Sequence, residues 1–174
     1  MTSIAGNLCT LRPYRPGDVD ALVRNANDPE VARGLTDRFP FPYTFQDAHD
    51  WISACMNPSA GHEFLAVEIE GEAAGGVGFG IIDDVHPRTA MIGYWLGRRF
   101  WNRGIMTEAV KLATDHAFTN RGVIRTEAGV YPWNRASMRV LEKAGYTFEG
   151  ILRSRLFKGG RPHDEHFYAR VAGG

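Results

Sequence analysis

"RRFWNRGIMTEAV" (Arg98–Val110) sets three arginines, Arg98, Arg99 and Arg103, and a glycine, Gly104, directly ahead of a helical pattern. In that pattern Ile105, Ala109, Leu112, Ala113 and Ala117 fall on one stripe. The first turn of an α-helix carries backbone N–H groups with no intrahelical partner and a partial positive charge, so it favours an anion. Gly104 lets the backbone come close to such a ligand, and Arg103 adds a charge-assisted hydrogen bond. The loop is not a P-loop, since no G-x-x-x-x-G-K-[ST] is present. Nor is it a dinucleotide fingerprint, since no G-x-G-x-x-G opens a strand-to-helix turn. Taken alone, it reads equally well as a phosphate site or as a solvated arginine cluster.

Upstream of the loop, "EFLAVEI", the turn "EGE", "AAGGVGFGIID", the loop "DDVHPRT" and "AMIGYWLG" are short, apolar and glycine-punctuated, the pattern of an antiparallel meander. Further upstream, "CTLRPYRPGD" begins as a strand that Pro13 and Pro16 stop. Asp18 is then placed to cap a helix carrying Val19, Leu22, Val23 and Ala26 inward. In "TFQDAHDWISACMN", Thr44 and Asp47 form a capping-box variant ahead of Ala48, Trp51, Ile52, Cys55 and Met56 at helical spacing. Downstream of the loop helix, "VIRTEAGVY" reads as a strand and "NRASMRVLEKAGY" as a helix capped by Asn134 and ended by Gly145. The strands "TFEGILRSRLFK" and "HDEHFYARV" close the chain, turning at "GGRP". The expected order is β, α, α, three β, α, β, α, two β, with seven strands.

At 174 residues, with no repeat or linker, the chain is expected to be a single domain over residues 1–174. Lys+Arg and Asp+Glu balance at 20 each, so no global basic field exists to hold nucleic acid or an anionic membrane, and any anion site must be local. The N-terminal "MTSIAGNLCTLRPYRPGD" has no basic region followed by an apolar run, and no stretch has the length of a membrane span, so the expectation is a cytoplasmic protein. Cys9 and Cys55 are too few and too isolated for a disulfide framework or a zinc site and read as reduced, structural residues.

The segments "IGYWLGRRFWNRGIMTEAVKLATDHAF" and "VYPWNRASMRVLEKAGYTFEGILR" resemble the acyl-CoA-binding core of the GNAT N-acetyltransferase superfamily, most closely its branch of ribosomal-protein-alanine N-acetyltransferases and their relatives. The family signature ahead of the helix is Q/R-x-x-G-x-G/A. Trp101 stands at its first place, Gly104 at the central glycine and Met106 at the last, so two positions depart from it. The resemblance implies an α+β GNAT fold: a mixed, mostly antiparallel seven-stranded sheet flanked by helices and splayed at its central strands. It implies acetyl-CoA as co-substrate, no metal, and an amine acceptor; a homodimer is compatible with it. The strand "IGYWLG" would splay at a bulge, so that backbone groups of Tyr94, Trp95 and Leu96 pair with the pantetheine arm. The side chains of Tyr94 and Trp95 themselves read as core packing. Arg99, Arg103, Gly104, Ile105, Met106 and Thr107 would surround the pyrophosphate.

Asn134, Ser137, Val140, Leu141 and Ala144 lie at i, i+3, i+6, i+7 and i+10, one helix stripe with its polar end first. Helix capping alone accounts for Asn134 and Ser137; the resemblance adds contact with the coenzyme arm for Asn134 and proximity to the thioester sulfur for Ser137. Many relatives carry a tyrosine acid where Leu141 stands, which leaves Ser137, or a water it holds, to protonate the leaving thiolate. A base must also take a proton from the attacking ammonium. Glu127 is the first choice, on one strand face with Arg125 and Gly129, and Glu63, Asp83, Asp84 and His86 are the alternatives. His163 and His166, three residues apart on a strand, point to opposite faces and do not read as a metal pair. "RFPFPYTF" (residues 38–45) falls where the family builds part of its acceptor rim. The expected function is transfer of an acetyl group to a primary amine, a protein N-terminus among the options, by direct attack in a ternary complex. The rivals are acetylation of a small amine such as an aminoglycoside or polyamine, and a non-catalytic acyl-CoA-binding module.

Overall fold

The glycine-punctuated apolar run of residues 62–96 forms, in the computed structural model, three antiparallel strands: β3 (His62–Ile69), β4 (Glu72–Ile81) and β5 (Thr89–Leu96). The structure describes residues 3–173. Among them β1 (Ile4–Ala5), β2 (Thr10–Arg12), β6 (Arg125–Val130), β7 (Thr147–Lys158) and β8 (Arg161–Val171) complete one eight-stranded sheet in the order β1-β2-β3-β4-β5-β6-β8-β7. Its neighbours are antiparallel except β5 and β6, which are parallel. The eighth strand is the two-residue β1. The backbone N–H groups of Asn7, Leu8 and Cys9, just after it, all donate to the Glu108 carboxylate. That partner is about a hundred positions away, so no local pattern announces the strand.

Side chains alternate across the sheet, and each face is covered by helices. Leu65 and Val67 pack toward α4 (Ile105–Asn120) and α5 (Arg135–Lys143), whereas Phe64 and Ala66 pack toward α1 (Val19–Ala26) and α3 (Phe45–Met56). The fully buried Ala109, Ala113 and Ala117 let α4 lie close on its face. Thr44 and Asp47 form the expected capping box at α3, though Met56, expected inward, is exposed. The turns at Gly145 and at Gly159–Gly160 adopt left-handed backbone as their sequences require. A short helix absent from the sequence reading, α2 (Pro29–Arg33), is started by Asp28, whose carboxylate accepts the Glu30 N–H at 2.8 Å, and by Pro29 at its first position.

Asp18 does not cap α1. Its carboxylate receives both terminal nitrogens of Arg12, at 2.8 and 2.7 Å, and the backbone N–H of Arg15 at 2.9 Å. Arg12 on β2 is 6% exposed, and a buried guanidinium without a counter-charge costs more than an unmade cap. Cys9 and Cys55 are buried free thiols, pushed up to about 12 by burial, with Glu108 adding to the effect at Cys9. No described helix is long and apolar enough to cross a membrane.

Candidate active site

The central strands part where the sequence reading expects, by a different device. β5 and β6 pair only from Thr89↔Arg125 to Met91↔Glu127, although β5 runs on to Leu96 and β6 to Val130. No bulge interrupts β5: its register with β4 is unbroken from Ile81↔Ala90 to Gly75↔Leu96. The backbone N–H of Gly97 donates to Ala74, and that of Ile82 donates to Thr89, so the odd-numbered residues of β5 exchange their main-chain bonds with β4. The main-chain groups of Ile92, Tyr94 and Leu96 therefore face the gap, and those of Trp95 do not. The Leu96 carbonyl is already taken by the Trp101 indole N–H at 2.8 Å. Trp101, one of the two departures from the family signature, thus ties the loop to the end of β5.

At the far end of the gap the N-terminus of α4 is bare. Its N-cap, Gly104, sits in left-handed backbone (φ 78°), a conformation only glycine adopts without strain, and no side chain caps the first turn. Ile105 and Met106 turn their side chains into the core, so what they offer toward the loop is backbone N–H; Thr107, half-buried, follows them in the same turn. Arg103 is exposed, with its guanidinium 5.7 Å from the Phe100 ring centre and no ion pair among the described residues. Arg99 is otherwise engaged: it donates to Asn25 Oδ1 at 3.1 Å and pairs with Glu72. Arg98 stands 3.8 Å from Asp28, so of the three arginines Arg103 alone has no ion pair among the described residues.

Across the gap, Asn134 Oδ1 accepts the Ser137 N–H at 3.1 Å, the cap that ordinary helix chemistry requires. Ser137 Oγ lies 2.7 Å from the Tyr94 hydroxyl, whose pKa burial pushes upward, while Leu141 is buried in the core. The Tyr94 hydroxyl contact escapes sequence reading because it joins two elements 43 residues apart.

The carboxylates separate by face. Glu63 is buried behind the sheet, with His116 at 3.1 Å and Arg121 at 3.5 Å, away from the gap. Asp83, Asp84 and His86 occupy an exposed turn before β5. Glu127 shares the open face of β6 with Gly129, and Arg125 Nε donates to it at 2.6 Å. Glu165 on β8, absent from the sequence reading, lies over Gly129, so close that a Cβ there would clash with its carboxylate. Extending the Met91↔Glu127 register puts Gly129 level with Gly93 across the gap. The Glu165 side chain is 12% exposed; burial raises its pKa, and Arg155 at 3.8 Å only partly offsets this. Its sole sequence signal is alternation with Phe167 on that strand, too weak to single it out. His163 packs on Trp133 and His166 on Phe148, and no metal-ligating cluster occurs among the described residues.

A cavity of about 980 Å³ opens beside Gly93 and Tyr94, and Arg38, Phe39, Pro40 and Tyr43 of the "RFPFPYTF" stretch line one side of it. The preceding segment is strapped across the sheet by Lys158, which donates to the Leu35 carbonyl at 2.7 Å, and by Trp133, which donates to the Arg33 carbonyl at 3.3 Å.

A parted sheet beside a bare helix N-terminus has a counterpart among known proteins. A family model described as an acetyltransferase (GNAT) domain matches residues 9–147. The chain belongs to the GNAT acetyltransferase family. This GNAT chain is 34% identical over 164 residues to the uncharacterized N-acetyltransferase p20 of Bacillus licheniformis, spanning 92% of the chain and 90% of that protein. It is 28% identical over 152 residues to the spermidine N(1)-acetyltransferase of Escherichia coli (strain K12), spanning 87% and 79%. Among solved structures, Mycobacterium smegmatis RimJ in complex with CoA-disulfide matches with a TM-score of 0.84 at 27% identity, covering 94% of this chain and 82% of that one. The fold is the α+β GNAT fold, and the GNAT chain is an N-acetyltransferase.

Proposed function

We propose that the enzyme transfers the acetyl group of acetyl-CoA to a primary amine by direct attack in a ternary complex, acting as one catalytic unit over residues 1–174. The observation that carries this reading is the parting of β5 from β6 beyond Met91, next to the uncapped N-terminus of α4. The main-chain groups of Ile92 and Tyr94 and the N–H of Leu96, whose carbonyl is held by Trp101, suit an amide-bearing arm laid along β5 as an added strand, and the N–H groups of Ile105, Met106 and Thr107 with Arg103 suit its pyrophosphate.

Acyl transfer needs a polarised carbonyl, a neutral amine and a proton for the departing sulfur. A backbone N–H of β5 facing the gap stabilises the charge that develops on the carbonyl oxygen. Ser137, hydrogen-bonded to the Tyr94 hydroxyl, or a water it holds, passes a proton to the thiolate as the C–S bond breaks and takes one back from solvent. Glu165 fits the task of taking the proton from the amine better than Glu127: it lies over Gly129 with its pKa raised by burial, whereas Glu127 is occupied by Arg125. Asn134 orients Ser137 by capping the turn that carries it.

A thermal melt tests the coenzyme assignment. A ligand at 100 times its dissociation constant adds ~2.7 kcal/mol, which at ~2–4 °C per kcal/mol raises the midpoint by roughly 5–10 °C. Acetyl-CoA should give this shift and NAD and ATP should not; an equal response to all three, or to none, sinks the assignment.

A further inference from the structure

The chamber on the acceptor side of β4 and β5 is built of aromatic rings. Phe39 lies 5.8 Å from Trp95 and 5.2 Å from Tyr43, and Trp51 lies 5.3 Å from Phe64, all centre to centre and all on the cavity wall. Gly78 on β4 is a glycine because the Phe64 ring lies across it: a Cβ there would stand 2.5 Å from Phe64 Cδ1. Its partner across the ladder, Gly93 on β5, is different. A Cβ on Gly93 would meet nothing within 4 Å, its backbone is ordinary strand, and the space beyond it belongs to the cavity. No packing or backbone demand explains the missing side chain at that position. Gly93 also sits between the two halves of the site, next to Tyr94 on the gap and level with Gly129 beneath Glu165.

The charged groups on the chamber wall stand toward its margin. On α3, Asp47 is half-buried and accepts the Thr44 N–H at 2.8 Å, and Asp50 is exposed and accepts the Gln46 amide at 2.8 Å. Arg38, also at the margin, is a cation and repels a second ammonium. His62 lies against Phe64 with ring centres 6.1 Å apart. A flexible polycation passing beyond the α3 margin, where Asp47 and Asp50 stand, would exchange water for aromatic carbon. A flat apolar group would meet ring faces and edges on every side.

Resting on the reading of this site as an N-acetyltransferase centre, we propose that the acceptor is an arylalkyl primary amine. Its ring occupies the chamber between Trp51, Phe64 and Trp95, and its amine passes Gly93 to reach the thioester. Gly93 is the specificity-determining position, because any side chain there narrows the passage. The amine nitrogen forms the new C–N bond, the C–S bond breaks, one amine proton leaves to the base and the thiolate is protonated, giving an arylalkyl acetamide and free coenzyme thiol.

The test compares tryptamine, phenethylamine, spermidine and ethylamine as acceptors by thiol release at saturating acetyl-CoA, in the wild type and in Gly93→Ala and Gly93→Val. The expected result is a kcat/KM for the two aromatic amines at least tenfold above spermidine and ethylamine. Across the two variants KM for tryptamine should rise in a graded way, while the acetyl-CoA melt shift stays that of the wild type and shows the fold intact. Equal or better turnover of spermidine or ethylamine, or a Gly93→Val variant as good with tryptamine as the wild type, overturns the acceptor assignment and leaves the acetyltransferase reading standing. No turnover of any amine together with no acetyl-CoA shift overturns both.

Discussion

The Tyr94 hydroxyl lies 2.7 Å from Ser137 Oγ and 3.3 Å from the Ser137 carbonyl oxygen, joining the strand that borders the gap to the first turn of α5. Burial raises the pKa of the Tyr94 phenol, so it remains a donor at neutral pH. It can supply a hydrogen bond to Ser137 while Ser137 donates elsewhere. Ser137→Ala should lower kcat by ~10²-fold, the usual worth of a general acid, with acetyl-CoA affinity little changed. Tyr94→Phe should give a smaller loss, and the double variant no more than Ser137→Ala alone, because residues acting as a unit are not additive. Steady-state thiol release reads all three. Unchanged turnover in Ser137→Ala would leave that residue a purely structural part of the helix turn.

Glu165 carries opposite consequences for stability and rate. Its folded-state pKa is raised above the unfolded value by burial, so the folded state binds the proton more tightly, and the ionised carboxylate costs stability at every pH above that folded value. Glu165→Gln should therefore raise the melting temperature at pH 7, at ~2–4 °C per kcal/mol recovered. It should lower kcat by ~10²-fold or more. In the wild type the acid limb of kcat/KM should fall above the ordinary glutamate value of ~4.3 and vanish in the variant. A limb that persists in Glu165→Gln returns the base role to Glu127.

Gly104 and Arg103 test the anion loop separately. In Gly104→Asp a carboxylate is placed at the uncapped helix N-terminus proposed to receive the pyrophosphate, and left-handed backbone costs a non-glycine residue ~1–2 kcal/mol. Acetyl-CoA binding by calorimetry should be lost while circular dichroism keeps the fold. Arg103→Ala should weaken binding about tenfold, with less dependence on salt than in the wild type. Wild-type affinity in Gly104→Asp would move the pyrophosphate elsewhere.

The Arg12–Asp18 pair is a stability element remote from the gap. Burial alone would raise the pKa of Asp18, but the bonds from Arg12 and Arg15 outweigh it and the net shift is downward. The contribution of Asp18 is then fully present above the unfolded value of ~3.9 and is lost as pH falls through the lower folded value. Arg12→Ala should cost ~3–5 kcal/mol, since it strands a buried carboxylate, without altering acetyl-CoA binding by the folded fraction. Urea unfolding at pH 7 and at pH 3 measures both effects.

Local chemistry in the sequence determined the helix over 105–120, its bare start at Gly104, the capping box at Thr44, the meander over 62–96 and the cap at Asn134. Each depends on contacts within a few residues, by helical or strand periodicity or by backbone preference. Helical spacing placed the polar start of α5, and the family resemblance placed the splay. Tertiary structure alone decided what those parts touch. Arg99, next in sequence to Arg98 and four residues before Arg103, is drawn off by Glu72 on β4, and Asp18 leaves its cap for the guanidinium of Arg12. Glu127 is occupied by its strand neighbour Arg125, while Glu165, 38 residues later, is set over Gly129 by the β6–β8 register. The aromatic chamber likewise gathers rings from loop, helix and two strands, and the opening at Gly93 is visible only once those rings are in place. Charge pairing and burial act between segments far apart in the chain, so which arginine is left unpaired and which carboxylate is desolvated follow from the fold and not from spacing.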